Sequence, residues 1–148
     1  GKSTTIYRSG TPVTANVIAL GKALELATNS LEERFNYIKN LNNMLRENLK
    51  MIDCVHINSP ENAIPNTLNI SLINKDTKSV LKELENNHIY LSTTTACALG
   101  TSPSKSVLAI TNDEHLAANT LRISISHLDT EDEINEFLKV FNKIIVKK

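Results

Sequence analysis

The segment Thr120-Leu121-Arg122-Ile123-Ser124-Ile125-Ser126 alternates apolar and polar side chains without a break. Strand side chains point to opposite faces in turn, so Leu121, Ile123 and Ile125 make one oily face. Arg122, Ser124 and Ser126 make the other. Thr67-Leu68-Asn69-Ile70-Ser71-Leu72 repeats the pattern, with Leu68, Ile70 and Leu72 set against Thr67, Asn69 and Ser71. A sheet of such strands puts its oily face under helices. Its polar face, with small hydroxyls and one arginine, is either solvated or the wall of a cleft. Two more runs read as strands: Ile52–Ile57, ended by Ser59-Pro60, and Ile89-Tyr90-Leu91-Ser92.

The helices that would cover the oily face are legible from their period and caps. A pattern starting at Thr14 places Val17, Leu20, Leu24 and Ala27 on one face, with Gly21 weakening it from inside. Ser30 and Glu33 fit a capping box for a second helix, 31–50, carrying Leu31, Phe35, Ile38, Leu41, Leu45 and Leu49. Its seam is too short for a coiled coil and reads as a core face. Asp76 can cap a helix through Val80, Leu81 and Leu84. Ser102-Pro103 reads as a cap and first-turn proline for a helix through Val107, Leu108 and Ile110. Asn112-Asp113-Glu114 is a turn or the start of a short helix. Thr130 and Glu133 form a second capping box before a final helix through Ile134, Phe137, Leu138, Phe141 and Ile144, with lysines at its end. The expected fold class is α/β in the two-layer α+β sense, a small mixed or antiparallel sheet with helices on one face.

The chain has 148 residues, one domain's length, which suits a core without disulfides. Sixteen basic and sixteen acidic side chains cancel, which argues against a broadly basic nucleic-acid or membrane surface. Aromatics make up 4 % and tryptophan is absent, so a base-stacking platform is not expected. No run reaches the length of a membrane span, no basic-then-apolar leader is seen, and the two cysteines read as reduced thiols of a cytoplasm. A one-domain length suits either a whole protein or a piece of a larger one.

Few residues can carry chemistry. Cys97 sits among small residues in Thr93–Thr101, which reads as a loop before a helix. A thiol near a helix N-terminus can have a lowered pKa, and the thiolate is the nucleophile. The local residues alone favour an inert, partly buried thiol. Cys54, inside a strand, reads as structural. Arg122 is either a surface or ion-paired arginine or a bidentate clamp for a carboxylate. Thr11, beside Gly10 in a loop leading into a helix, could bind phosphate through its hydroxyl and nearby N–H groups. The four histidines are scattered without metal-ligand spacing, so no metal site is expected.

Six segments in order change the balance. Arg8-Ser9-Gly10-Thr11-Pro12 with Gly21-Lys22-Ala23-Leu24-Glu25-Leu26, Pro65-Asn66-Thr67-Leu68-Asn69-Ile70-Ser71, Ser92-Thr93-Thr94-Thr95-Ala96-Cys97, Pro103-Ser104 with Val107-Leu108, Leu121-Arg122-Ile123-Ser124, and Asp129-Thr130-Glu131-Asp132-Glu133-Ile134 span nearly the whole chain. Together they resemble the C-terminal part of the cysteine desulfurases, pyridoxal-phosphate enzymes of the class V aminotransferase group. The resemblance implies that Cys97 is the nucleophile that takes sulfur from L-cysteine as a persulfide, with alanine as the other product. It implies that Arg122 holds the substrate carboxylate. It implies that Thr11 contacts the cofactor phosphate, usually that of the partner subunit in a homodimer. A loop of small residues suits a thiol that carries sulfur from cofactor to acceptor, for iron–sulfur clusters or tRNA thiolation.

Two features depart from the pattern: Thr94-Thr95 stands where the family has Gly-Ser, and the connection from Cys97 to Pro103 is short. In the family, the lysine that binds pyridoxal phosphate, the aspartate that pairs with its ring nitrogen and the histidine that stacks on it all lie upstream of the Arg-Ser-Gly-Thr loop. No lysine here has that setting. The resemblance therefore implies a single small domain over residues 1–148, of which 1–50 are the loop and helices leading from an absent cofactor-binding domain. The chain alone is then expected to be inactive. Two other readings stay open: a class V aminotransferase or lyase domain in which Cys97 is incidental, and a non-catalytic α/β binding module.

Overall fold

The computed structural model describes residues 12–93 and 103–146. The two alternating segments pair as their parity requires. Strand β2 (Thr67–Leu72) lies antiparallel to β3 (Thr120–Ser124), with Leu68 opposite Ile123, Asn69 opposite Arg122 and Ile70 opposite Leu121. Strand β1 (Val55–Ile57) flanks β2 on its other side, antiparallel, giving the order β1-β2-β3. The fold is α/β with a small antiparallel sheet, as expected.

Around the sheet, the chain runs α1 (Thr14–Asn29), α2 (Leu31–Leu49), β1, β2, α3 (Thr77–Asn86), α4 (Lys105–Thr111), α5 (Glu114–Ala118), β3 and α6 (Glu131–Val146). The oily strand faces and three helices share one core. It holds Leu41, Leu45 and Leu49 of α2, Leu68, Ile70 and Leu72 of β2, Val80 and Leu84 of α3, and Leu121 and Ile123 of β3. Helix α6 adds Ile134, Phe137, Leu138, Phe141 and Ile145. In that last helix Ile145 is buried, and Ile144 only half so.

The chain divides into two compact units, one ending at Arg34 and one starting at Phe35. The first holds α1, which runs through Gly21 and has no buried residue. The second holds everything from the body of α2 onward. No helix among the described residues is long and apolar enough to cross a membrane.

Several boundaries differ from expectation, each for a local reason. The Ser30–Glu33 capping box is absent, because the Ser30 hydroxyl donates backwards to Leu26 O at the end of α1. The first strand shrinks to three residues, so Cys54 falls just before it, half-buried against the core. Ile89–Ser92 makes no full strand; it keeps one antiparallel bridge, Ser92 to Arg122. The α4 cap is Ser104, whose hydroxyl accepts from Val107 N, so the residue after Pro103 does what was expected of Ser102, which lies outside the described residues. Strand β3 ends at Ser124, and Ile125 N donates to Asn66 O instead. The Asp76 and Thr130–Glu133 caps form as read, and Asp113 caps α5.

The polar sheet face is partly roofed. Ser71 shares the parity of Asn69 yet is fully buried, and its hydroxyl donates to Leu116 O of α5. The buried Val107 of α4 and Ala117 of α5 lie outside the main core. Ser104 N donates to Ala117 O, tying the start of α4 to α5.

Candidate carboxylate-binding site

Arg122 is in the middle of β3, on the polar face, opposite Asn69. On its other side the backbone is closed by a two-way bridge: Arg122 N donates to Ser92 O at 2.6 Å and Ser92 N donates to Arg122 O at 3.3 Å. Thr120 Oγ1 donates to Thr93 O, a second tie to the same segment. Arg122 therefore stands at a fixed point of the sheet, half-buried.

Its side chain lines a cavity of about 220 Å³ together with Asn58, Ser59, Pro60, Asn69, Thr93, Ser104, Ser106, Val107 and Ile110. Among the described residues of that wall, Arg122 is the one that is charged. Among the described residues no carboxylate pairs with it. Its Nε is buried and has no hydrogen-bond partner among them. A buried donor of a charged group left unpaired is costly, and native structures rarely keep one without a use. An anionic ligand with two oxygens matches the planar guanidinium fork.

The floor of the cavity is a buried polar network. Asn58, buried just after β1, donates through Nδ2 to Asn69 Oδ1 and to Ser71 Oγ, both at 2.7 Å. Ser59 Oγ accepts from Asn69 N at 2.9 Å. From beneath, the buried Arg46 of α2 donates to the carbonyls of Ser59 and Pro60, and to Asn42 Oδ1. Asn42 in turn donates to Pro65 O, just ahead of β2. Helix α2 thus holds both loops that flank the cavity floor.

Of the three site residues read from the sequence, Arg122 is in this cavity, while Cys97 and Thr11 lie outside the described residues. Thr93 and Ser104 border the cavity, and they flank the segment that contains Cys97. Sequence reading missed Asn58, Ser59 and Arg46 as parts of the site. The parity of Asn69 with Arg122 was a visible signal; nothing comparable marked Asn58. Among the described residues no three His, Cys, Asp or Glu side chains gather as a metal site.

The class-V aminotransferase family model matches residues 2–137. The chain belongs to that family. A "Cysteine desulfurase IscS" of Clostridium botulinum is 34 % identical over 146 residues, covering 95 % of this chain and 37 % of that protein. Another of the same name, from Dictyoglomus turgidum, is 32 % identical over 143 residues, covering 95 % of this chain and 36 % of that protein. Among solved structures, a NifS-like protein from Rickettsia africae superposes with a TM-score of 0.73, at 31 % identity, over 93 % of this chain and 36 % of that one. A further NifS-like protein gives a TM-score of 0.75 at 28 % identity, over 93 % of this chain and 35 % of that one. The chain thus spans little more than a third of the relatives it matches.

Class-V enzymes imply pyridoxal phosphate, whose aldehyde needs a lysine amine and whose ring nitrogen needs a carboxylate. The described cavity wall has neither; it has one guanidinium, the amides of Asn58 and Asn69, four hydroxyls, and the apolar Pro60, Val107 and Ile110. That donor set does not hold the cofactor. Its guanidinium suits a carboxylate.

Proposed function

We propose that this chain supplies the substrate clamp and the nucleophile of a cysteine desulfurase. Arg122 holds the carboxylate of L-cysteine, and Cys97 takes the sulfur. Thr11 contacts the cofactor phosphate of a partner subunit in a homodimer. The observation that carries the reading is the unpaired, buried Nε of Arg122 in a cavity with no acidic side chain among its described residues. The desulfurase names of the relatives and the position of Cys97, four residues after Thr93 at the cavity rim, support it.

The chemistry divides between residues in a definite way. Arg122 orients the substrate by two parallel N–H···O bonds, so that its Sγ is presented at one fixed distance from the clamp. A new S–S bond forms between Cys97 and the substrate sulfur while the substrate Cβ–Sγ bond breaks. The electron pair of that bond stays with carbon, which takes up one proton to become alanine and so balances the proton that Cys97 gives up as it becomes the thiolate; the substrate's S–H proton stays on the outer sulfur, and Cys97 is left as a persulfide. Stabilising the electron pair is chemistry that the cofactor would supply, and apart from Thr11 the groups that would hold it would come from the part of the relatives that this chain does not span. The persulfide then passes to an acceptor protein serving iron–sulfur cluster assembly or tRNA thiolation in the cytoplasm.

The test uses the cofactor-loaded protein that carries this chain. Cys97→Ala should abolish sulfide release from L-cysteine, and Arg122→Lys should raise KM for L-cysteine at least tenfold, the scale of one charged hydrogen bond. Sulfide release that survives Cys97→Ala refutes the desulfurase reading and leaves a transaminase or lyase. The chain by itself, mixed with pyridoxal phosphate, should show no protein-bound chromophore; a stable one refutes the division of labour.

A further inference from the structure

Among the described residues, every polar group of Asn69 but one is committed. Its N–H donates to Ser59 Oγ at 2.9 Å. Its carbonyl accepts from Asn58 N at 2.9 Å and from Ser59 N at 3.3 Å. Its Oδ1 accepts from Asn58 Nδ2 at 2.7 Å. What is left is the side-chain NH2, on a residue that lines the Arg122 cavity and stands directly opposite Arg122 on the same sheet face.

The orientation of that amide is forced by its neighbours. Ser71 has one hydroxyl proton, and it goes to Leu116 O at 2.8 Å. Ser71 Oγ must therefore accept from Asn58, so the Asn58 atom beside it is the NH2. The second proton of that NH2 faces Asn69, so the Asn69 atom there is the oxygen. The Asn69 oxygen is turned to Asn58, and among the described residues its two N–H donors are uncommitted. A fully buried serine thus sets, through Asn58, which end of Asn69 a ligand meets.

We propose that Asn69 is a second carboxylate-binding residue of the site, donating beside Arg122, and that Asn58 is the positioning residue that fixes its amide. This rests on the reading that Arg122 holds a substrate carboxylate. Two donors from adjacent strands meet the two oxygens from different directions, so the clamp selects an α-carboxylate over a neutral amide at the same position.

The experiment measures the binding of L-alanine and of L-alaninamide to the cofactor-loaded protein, read from the absorbance change of the cofactor. The ratio of the two Kd values is the measure of carboxylate recognition. It does not depend on the folded fraction or on turnover. The parent should prefer alanine strongly. Asn69→Ala should cut the preference about tenfold, the scale of a hydrogen bond to a charged group. Asn69→Asp keeps the acceptor for Asn58 but places an anion beside the carboxylate, so it should cut the preference further. It also serves where the alanine variant does not fold. Asn58→Ala should cut the preference severalfold while leaving alaninamide affinity within twofold, which a general loss of structure would not do. A ratio within twofold of the parent in both Asn69 variants, with Arg122→Lys lowering it, overturns this inference alone. A ratio that Arg122→Lys leaves unchanged overturns the carboxylate reading of Arg122 itself.

Discussion

Arg46 offers a quantitative check on how the site is built. It is a buried charge on α2 that makes three donated hydrogen bonds, at 2.7 Å to Asn42 Oδ1, 2.9 Å to Ser59 O and 3.0 Å to Pro60 O. Among the described residues no carboxylate neutralises it. Two effects oppose each other. A hydrogen bond from a charged donor contributes about 1.5–3 kcal/mol, while taking a charge out of water costs several kcal/mol. If the bonds dominate, Arg46→Met, which keeps the stem and removes the charge, strands a buried amide oxygen and two half-buried carbonyls. The carbonyls regain water in part, so the three bonds do not sum, and a loss of about 3 kcal/mol is expected. At about 4 °C per kcal/mol for a domain near this size, Tm should fall by about 12 °C. Arg46→Lys keeps the charge but not the fork, and should recover less than half of that loss. Urea unfolding of the chain at fixed m-value reads both directly. A methionine variant as stable as the parent would refute the reasoning, since the charge would then cost as much as its bonds contribute.

Two further outcomes follow from named contacts. Phe141 is fully buried, its ring centroid 5.3 Å from that of Phe137, so Phe141→Ala should cost about 3–5 kcal/mol in equilibrium unfolding; a loss under about 1 kcal/mol would mean that α6 does not close the core. Thr130 and Glu133 satisfy each other's backbone N–H groups at the start of α6, so Thr130→Ala should cost about 1 kcal/mol by the same assay, and no loss would show that the cap is idle.

What could be read from the sequence was whatever period and local chemistry dictate. Alternation fixed which side chains of β2 and β3 share a face, and the pairing of Asn69 with Arg122 follows once the two strands are antiparallel. Asp76 and Thr130 act on N–H groups two or three residues away, so their roles are local and legible. Ser30 shows the limit. Its hydroxyl had two local partners to choose from, and with α1 ending immediately before it, the backward carbonyl of Leu26 won over the forward N–H groups of α2. Ile89–Ser92 has a strand's composition, yet a strand needs a partner along its length, and β3 provides one only at Arg122.

The site was half legible for a related reason. Arg122 stood out because a charge on an alternating strand is conspicuous. Asn58, Ser59 and Arg46 did not, because their roles come from contacts between segments far apart in the chain: Arg46 reaches 13 and 14 residues ahead, Asn58 reaches 11 and 13. Such a network has no period. It is recognisable only by its bookkeeping of donors and acceptors, in which each buried group finds a partner except Arg122 Nε and Asn58 Oδ1 among the described residues. That residue of unmet valence is informative. Of the two, the Arg122 Nε donor is the one an anion would satisfy, since a site that receives an anion must leave a donor free until the anion arrives; the Asn58 Oδ1 acceptor is a cost that an anion does not offset.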